Sequence, residues 1–379
     1  MNVDLLIQGG TVVDPARGFR GTASVAVANG RIVEAPADAT ATRVIDADGC
    51  LVLPGLIDFH AHVYAPGTEI GVRADAAMLP QGVTTVVDAG SAGLGNYGNF
   101  VSSVVAFNQM RVFSLVNVAV TGLITLRYHE DVNPKFYDVA GLQALFAKYP
   151  GQLMGLKVRQ SRDIVGELGL EPLKATLKMA GQIGCRVVVH VTDPPCPLSE
   201  IADLLRPGDV FCNVFQGTGH TIIGEDGKVF PAIKAAKKRG VLFDCSNGKG
   251  HFSFRVSRAA IADDFLPDVI STDLTVLTLY MDYSFGVPYL MSKYLNLGVD
   301  LMKVVAACTS TPARWLGLEG QAGTLASGAV ADIAVLRPIR RPTRFLDTGG
   351  EVLLADQLLV PQMTVAGGRI AYRQIDFAT

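Results

Sequence analysis

Apolar and polar positions along the chain fall into two styles, one in the middle and one shared by the two ends. In the middle, short apolar runs lie at 55–62, 83–90, 113–119, 153–159, 186–191, 210–215, 241–248 and 268–273. The segments between them are 18 to 33 residues long. Several, such as Glu171–Ile183 and Phe230–Arg239, space their apolar residues with helical periodicity. A strand followed by a segment long enough for a crossover, repeated eight times, predicts an α/β chain folded as a (β/α)8 TIM-type barrel over residues 54–322. Residues 291–316 read as helical. A doubly wound sheet is the rival, but no Gly-x-Gly-x-x-Gly opens a helix after any strand, and Gln216-Gly217-Thr218-Gly219 is too short for a phosphate loop.

The ends alternate at strand period instead. Asp4–Gln8, Thr11–Val13, Ser24–Ala28, Arg31–Val33 and Arg43–Asp46 are separated by Gly9-Gly10, Asn29-Gly30 and Asp48-Gly49, and Asn-Gly between apolar runs is a hairpin signal. Ala331–Leu336, Gln362–Val365 and Arg369–Tyr372 repeat the style around Gly367-Gly368. One small β-rich domain assembled from residues 1–53 and 323–379 is therefore expected.

Composition narrows the function classes. Of 379 residues, 49% are hydrophobic and 18% charged, enough for a large core and unlike a disordered chain. A formal net charge of −2, with no basic block beyond the Lys234–Arg239 helix face, excludes a nucleic-acid footprint. Arg, Asn or Gly interrupts the longest apolar stretches before membrane length, and Met1–Ile7 lacks the basic region of a signal peptide. The six cysteines have no Cys-x-x-Cys spacing, and several sit in apolar runs as small hydrophobes. A soluble cytoplasmic protein with no membrane partner is expected.

The chemistry gathers at strand ends. A barrel of this kind builds its active site at the carboxyl ends of its strands. The first run ends in His60 and His62, whose i, i+2 spacing aims both rings to one face of a strand. The fourth carries Lys157 in an apolar strand, the fifth ends in His190 and the eighth in Asp273. Each has an ordinary structural reading: a hydrogen-bonded His, a Lys reaching out to solvent, an Asp capping the next helix. Three of six histidines on one rim weigh against that reading for all of them together. A buried Lys near divalent metals is pushed to its neutral amine, which can capture carbon dioxide as a carbamate able to bridge two ions.

Leu53-Pro54-Gly55-Leu56-Ile57-Asp58-Phe59-His60-Ala61-His62, Gly82-Val83-Thr84-Thr85, Gly155-Leu156-Lys157-Val158-Arg159, His190, Ser271-Thr272-Asp273, Thr309-x-x-Pro312-Ala313 and Gly328-x-x-Ala331-Asp332 together resemble the amidohydrolase superfamily of metal-dependent hydrolases. The nearest branch is the dihydroorotase-like group, some of whose members are deacetylases of acetylated hydroxy or amino acids. The resemblance implies two Zn2+ ions bridged by carboxylated Lys157, with His60, His62 and Asp273 on one and His190 on the other. It also implies a metal-bridging hydroxide that attacks a polarised carbonyl while Asp273 moves the proton to the leaving group.

Two stretches depart from the family pattern. Asn213 stands where strand six usually supplies a second-metal His, and Ser246-Asn247-Gly248-Lys249-Gly250-His251 replaces Gly-His-Gly on strand seven. Asn213, Asn247 and His251 are accordingly expected to face the substrate. His220 lies seven residues beyond Asn213 on a Gly-rich loop, within an extended reach of about 23–25 Å, and is expected as the sixth metal ligand. Arg159, two residues past Lys157, is expected to grip a substrate carboxylate, although an ion pair within the barrel is an equal use for it. The expected function is hydrolysis of an acetyl ester or amide of a small hydroxy or amino acid, by a homo-oligomer whose size no feature fixes. A cyclic amidase of dihydroorotase or hydantoinase type is the enzymatic alternative. A metal-free scaffold on the same fold is the other, though a scaffold should have lost several of these ligands.

Overall fold

Seven of the eight apolar runs of the middle form one parallel sheet in the computed structural model, which describes residues 2–34 and 40–377. Its seven strands are Leu56–Ala61, Val83–Asp88, Arg111–Asn117, Leu153–Arg159, Arg186–His190, Val210–Phe211 and Leu242–Phe243. Each lies beside its neighbour in sequence, and every pairing is parallel. The first two are buried along their whole length, which is why they read as continuous apolar runs rather than alternating ones.

The sixth and seventh strands are shorter than the runs at 210–215 and 241–248. Asn213 and Ser246 take positive φ angles of 58° and 37°, which turns the backbone out of the extended region. The eighth run forms no strand. Instead the 269–274 segment meets both edges of the sheet, bridging Val269 to Asp244 beside the seventh strand and Leu274 to Ala61 in the first. Side chains there take over from a ladder: Ser271 Oγ donates to Asp244 Oδ1 at 2.5 Å and Thr272 Oγ1 to Asp58 Oδ2 at 2.5 Å. Asp273, at φ 51°, then turns the chain away while its N–H donates to the His60 carbonyl at 2.7 Å.

Helices follow the strands where the periodicity places them. Glu171–Ile183 has Pro in its first turn and ends at Gly184 in the left-handed region, and Pro231–Lys238 also starts on Pro. The 291–316 region resolves into Val287–Asn296, Leu301–Ala307 and Ser310–Trp315. The last of these packs on the sheet's inner apolar cluster of Ile57, Phe59, Val87, Leu115, Val188 and Val210. Trp315 meets Phe59 edge-on at 4.9 Å, and Trp315 Nε1 donates to the Gly208 carbonyl. Truncating such a buried ring typically costs about 3–5 kcal/mol.

The two ends meet in a separate core. Leu5, Ile7, Val12, Val27 and Ile45 pack with Ile333, Val335, Met363 and Val365. Leu51–Pro54 pairs antiparallel with Ile333–Leu346, joining the N- and C-terminal strands in one six-stranded sheet. The C-terminal strands are longer than their alternation predicts. Ile333–Leu346 and Val352–Ala366 form one long hairpin, in which Pro338 is paired in register and Pro342 and Pro361 sit beside register shifts. Prolines and exposed arginines hide such a hairpin from a reading by period. Among the described residues, no helix is long and apolar enough to cross a membrane. All six cysteines are free thiols.

Candidate metal centre

The carboxyl ends of the first, fourth and fifth strands and the 269–274 segment bring His60, His62, Lys157, His190 and Asp273 to one cavity of about 140 Å3, which Arg159 and His251 also line. A wider surface groove of about 730 Å3, near Tyr280, Tyr289 and Arg341, has no histidine or lysine in its lining and shares no lining residue with this cavity.

Asp273 is the point of convergence. Its Oδ1 lies 3.4 Å from His62 Nε2 and 3.7 Å from His60 Nε2, and its Oδ2 lies 3.3 Å from His251 Nε2. Two N or O ligands on one tetrahedral zinc, each about 2.0–2.1 Å from it, stand about 3.3 Å apart. The 3.3 and 3.4 Å spacings match that edge and the 3.7 Å one is slightly wider, and His60, His62 and Asp273 stand close enough together to hold one ion. The opposite ring nitrogens are already engaged. His60 Nδ1 meets Ser246 Oγ at 2.9 Å and Asp244 Oδ2 at 3.2 Å, His62 Nδ1 meets Ser91 Oγ at 2.8 Å, and His251 Nδ1 meets Thr192 Oγ1 at 2.7 Å. Outer partners of this kind orient a ligand ring and leave Nε2 for the metal.

Protonation suits ligation. Burial lowers His60, with the Lys157 charge adding to it, and lowers His190 well below the ordinary histidine value. Burial also pulls His251 down to about 4. Burial alone would raise Asp273, but the imidazoles of His62, His60 and His251 around it outweigh that and hold its carboxyl well below the carboxylate range. At neutral pH His60, His190 and His251 thus stand as neutral imidazoles near an ionised carboxylate. Lys157 is 1% exposed, and its Nζ lies 3.2 Å from His60 Nε2. Gly90 makes room for it, since a Cβ there would stand 2.6 Å from the Lys157 Cβ. A second acidic and sulfur cluster, His60, Cys212 and Asp244, lies fully buried. Burial pushes the Cys212 thiol to about 12, and Asp244 is occupied by Ser246, Ser271 and His60, so this cluster serves as support.

Three of the expected residues lie outside the cavity lining. His220 does not line the cavity; its side chain is exposed, because Gln216 Nε2 binds the His220 carbonyl at 2.6 Å and closes the Gly-rich loop on itself. Asn213 is buried outside the lining, its Nδ2 donating to the Ser246 carbonyl at 3.0 Å. Asn247 is also outside it, tying the Gly248 and Tyr283 carbonyls together and accepting from Lys293 Nζ at 3.1 Å. Arg159 does line the cavity, and it is paired there with buried Glu130 at 3.0 Å.

Sequence reasoning missed the outer partners. Asp88 ends the second strand and Asp244 follows the seventh, and that position was the available signal. Asp88 Oδ2 accepts from Ser91 Oγ at 2.8 Å and so backs His62. Asp58, two residues before His60, is pushed by burial up to about 7 and is held by Thr272. Ser91, Thr192 and Glu130 left no signal, since each reaches the site through a loop.

A model of the amidohydrolase family matches residues 43–112 and 292–372. A deacetylase of Agrobacterium fabrum is 33% identical over 89% of this chain and 82% of its own length. The crystal structure of a dihydroorotase superposes with a TM-score of 0.85 at 30% identity, covering 99% of each chain. That of an adenine deaminase gives 0.87 at 25% identity, covering 98% of this chain and 100% of its own.

Proposed function

The chain belongs to the amidohydrolase superfamily of metal-dependent hydrolases, and on that premise we propose that it is a binuclear zinc enzyme cleaving an acetyl ester or amide of a small hydroxy or amino acid. The observation that carries the reading is the convergence of His60, His62, His190, Asp273 and buried Lys157 on one small cavity rimmed by Arg159. His60, His62 and Asp273 would hold one ion, and His190 the other, with carboxylated Lys157 between them. When bound, the metals would supply Lewis-acid polarisation of the acyl carbonyl and an acidified water. Asp273 would take the proton at Oδ1 or Oδ2 and return it to the leaving group. The Arg159 guanidinium, fixed by Glu130, would face the substrate carboxylate with its remaining N–H groups. Leu123, Leu126 and Ile70 give the cavity an apolar wall against which a small acyl group can exclude water.

The deacetylase named among the relatives supports the acyl class over ring opening, and the retained ligands weigh against a metal-free scaffold. In the same reading, residues 54–322 form an eight-unit barrel closed through 269–274, residues 1–53 and 323–379 the β-rich domain, and the enzyme works in the cytoplasm as a homo-oligomer. A screen of N-acetyl amino acids, O-acetyl hydroxy acids and cyclic ureides with the zinc-loaded chain tests it. Acetate release faster than any ring opening is the expected result. Faster turnover of dihydroorotate than of every acyclic acetyl compound would replace the reading with the cyclic amidase.

A further inference from the structure

We infer that His251, on the loop after the seventh strand, is the ligand that completes the second zinc site in place of the missing strand-six histidine. The inference rests on the two-metal reading and extends it. Four histidines reach the cavity, and they divide around Asp273. His60 and His62 face Oδ1, whereas His251 faces Oδ2 from 3.3 Å. On that side His251 stands edge-to-face with His190, ring centroids 4.8 Å apart and planes at 89°. Neither His220 nor Asn213 lines the cavity.

The loop is shaped for this placement. Gly248 has φ 47°, and a Cβ there would stand 2.6 Å from His251 Cδ2 and 2.7 Å from Asp273 Oδ2. Any side chain at 248 would therefore push His251 and Asp273 out of place. Thr192, just past the fifth strand that carries His190, meets His251 Nδ1 at 2.7 Å and leaves Nε2 turned to Asp273. This is the same arrangement that Ser91 gives His62. Asn213 Oδ1 is buried without a hydrogen-bond partner, which makes it the competing donor. An amide oxygen is a poorer zinc ligand than imidazole, and Asn213 Nδ2 is already committed to Ser246.

Zinc content of the purified full chain, measured by elemental analysis after equilibration with zinc, tests the assignment together with cobalt absorption spectra. Wild type should hold two ions, and His251→Ala one, with the folded circular dichroism signal kept and a weaker cobalt band. Asn213→Ala and His220→Ala should each keep two. Thr192→Val retains every ligand and should weaken the second ion alone by about 10–100-fold, which keeps the inference testable if His251→Ala does not fold. Two tightly held ions in His251→Ala, or loss of the second ion in Asn213→Ala with His251 intact, would overturn it. A wild-type chain holding a single ion would overturn the two-metal reading itself, and this inference with it.

Discussion

Lys157 Nζ and His60 Nε2 stand 3.2 Å apart inside the parallel sheet, both residues nearly sealed from solvent. An ammonium there would sit among metal ligands and would oppose a divalent ion at close range. A carbamate reverses the sign of that charge and offers two oxygens. Lys157→Ala is therefore expected to lose zinc and activity, with partial recovery on adding a short carboxylic acid. Mass spectrometry of the native chain should show the added carbon dioxide. Full activity of Lys157→Ala without additive would remove Lys157 from the centre.

Asp273 touches three imidazoles through two oxygens, and in the proposed function its charge would both bind metal and accept a proton. Asp273→Asn keeps the shape and removes the base. Its kcat should fall by about 10²–10⁴-fold, with the thermal transition little changed. Near-normal kcat would leave Asp273 only the capping role.

Arg159 is shared between Glu130 and the cavity. Arg159→Lys keeps the charge beside Glu130 but loses the planar fork. For an acetylated amino acid, KM should rise about tenfold, the lower range of a hydrogen bond to a charged group. For the corresponding carboxamide it should stay near wild type. Equal changes for both substrates would assign Arg159 to the Glu130 ion pair alone.

Lys293 is fully buried on Val287–Asn296, and burial pulls its pKa down to about 7. The unfolded chain keeps a lysine value of about 10.4. Between these values the unfolded state binds the extra proton, so the penalty lessens and stability rises as pH goes from about 7 to about 10. Below pH 7 the contribution is constant. Lys293→Met should flatten that rise in Tm, whatever its effect on absolute stability. Parallel Tm curves for the two proteins would mean that Lys293 keeps its proton through the window.

Much of this centre was legible from strand ends. His60, His62, Lys157, His190 and Asp273 occupy positions that a parallel sheet sends to one rim, and the order of the sheet does bring them to one cavity. What escaped depends on loops. The positions of His220 and His251 turn on Gln216 closing its own loop and on Gly248's φ, and neither has a periodic signature. Arg159 could be placed at the rim, yet its partner Glu130 comes from a distant irregular segment. The 268–273 run has the apolar content of a strand, but its Ser271 and Thr272 hydroxyls bind Asp244 and Asp58. A pattern of apolar positions cannot register that exchange.

In the proposed function one cavity would hold two zinc ions, on opposite sides of Asp273. Anomalous diffraction at the zinc edge, from crystals of the zinc-equilibrated full chain, measures it directly. Two peaks are expected, one within ligand distance of His60 and His62 and one within ligand distance of His190. A single peak at His60 and His62, with none at His190, would contradict that reading.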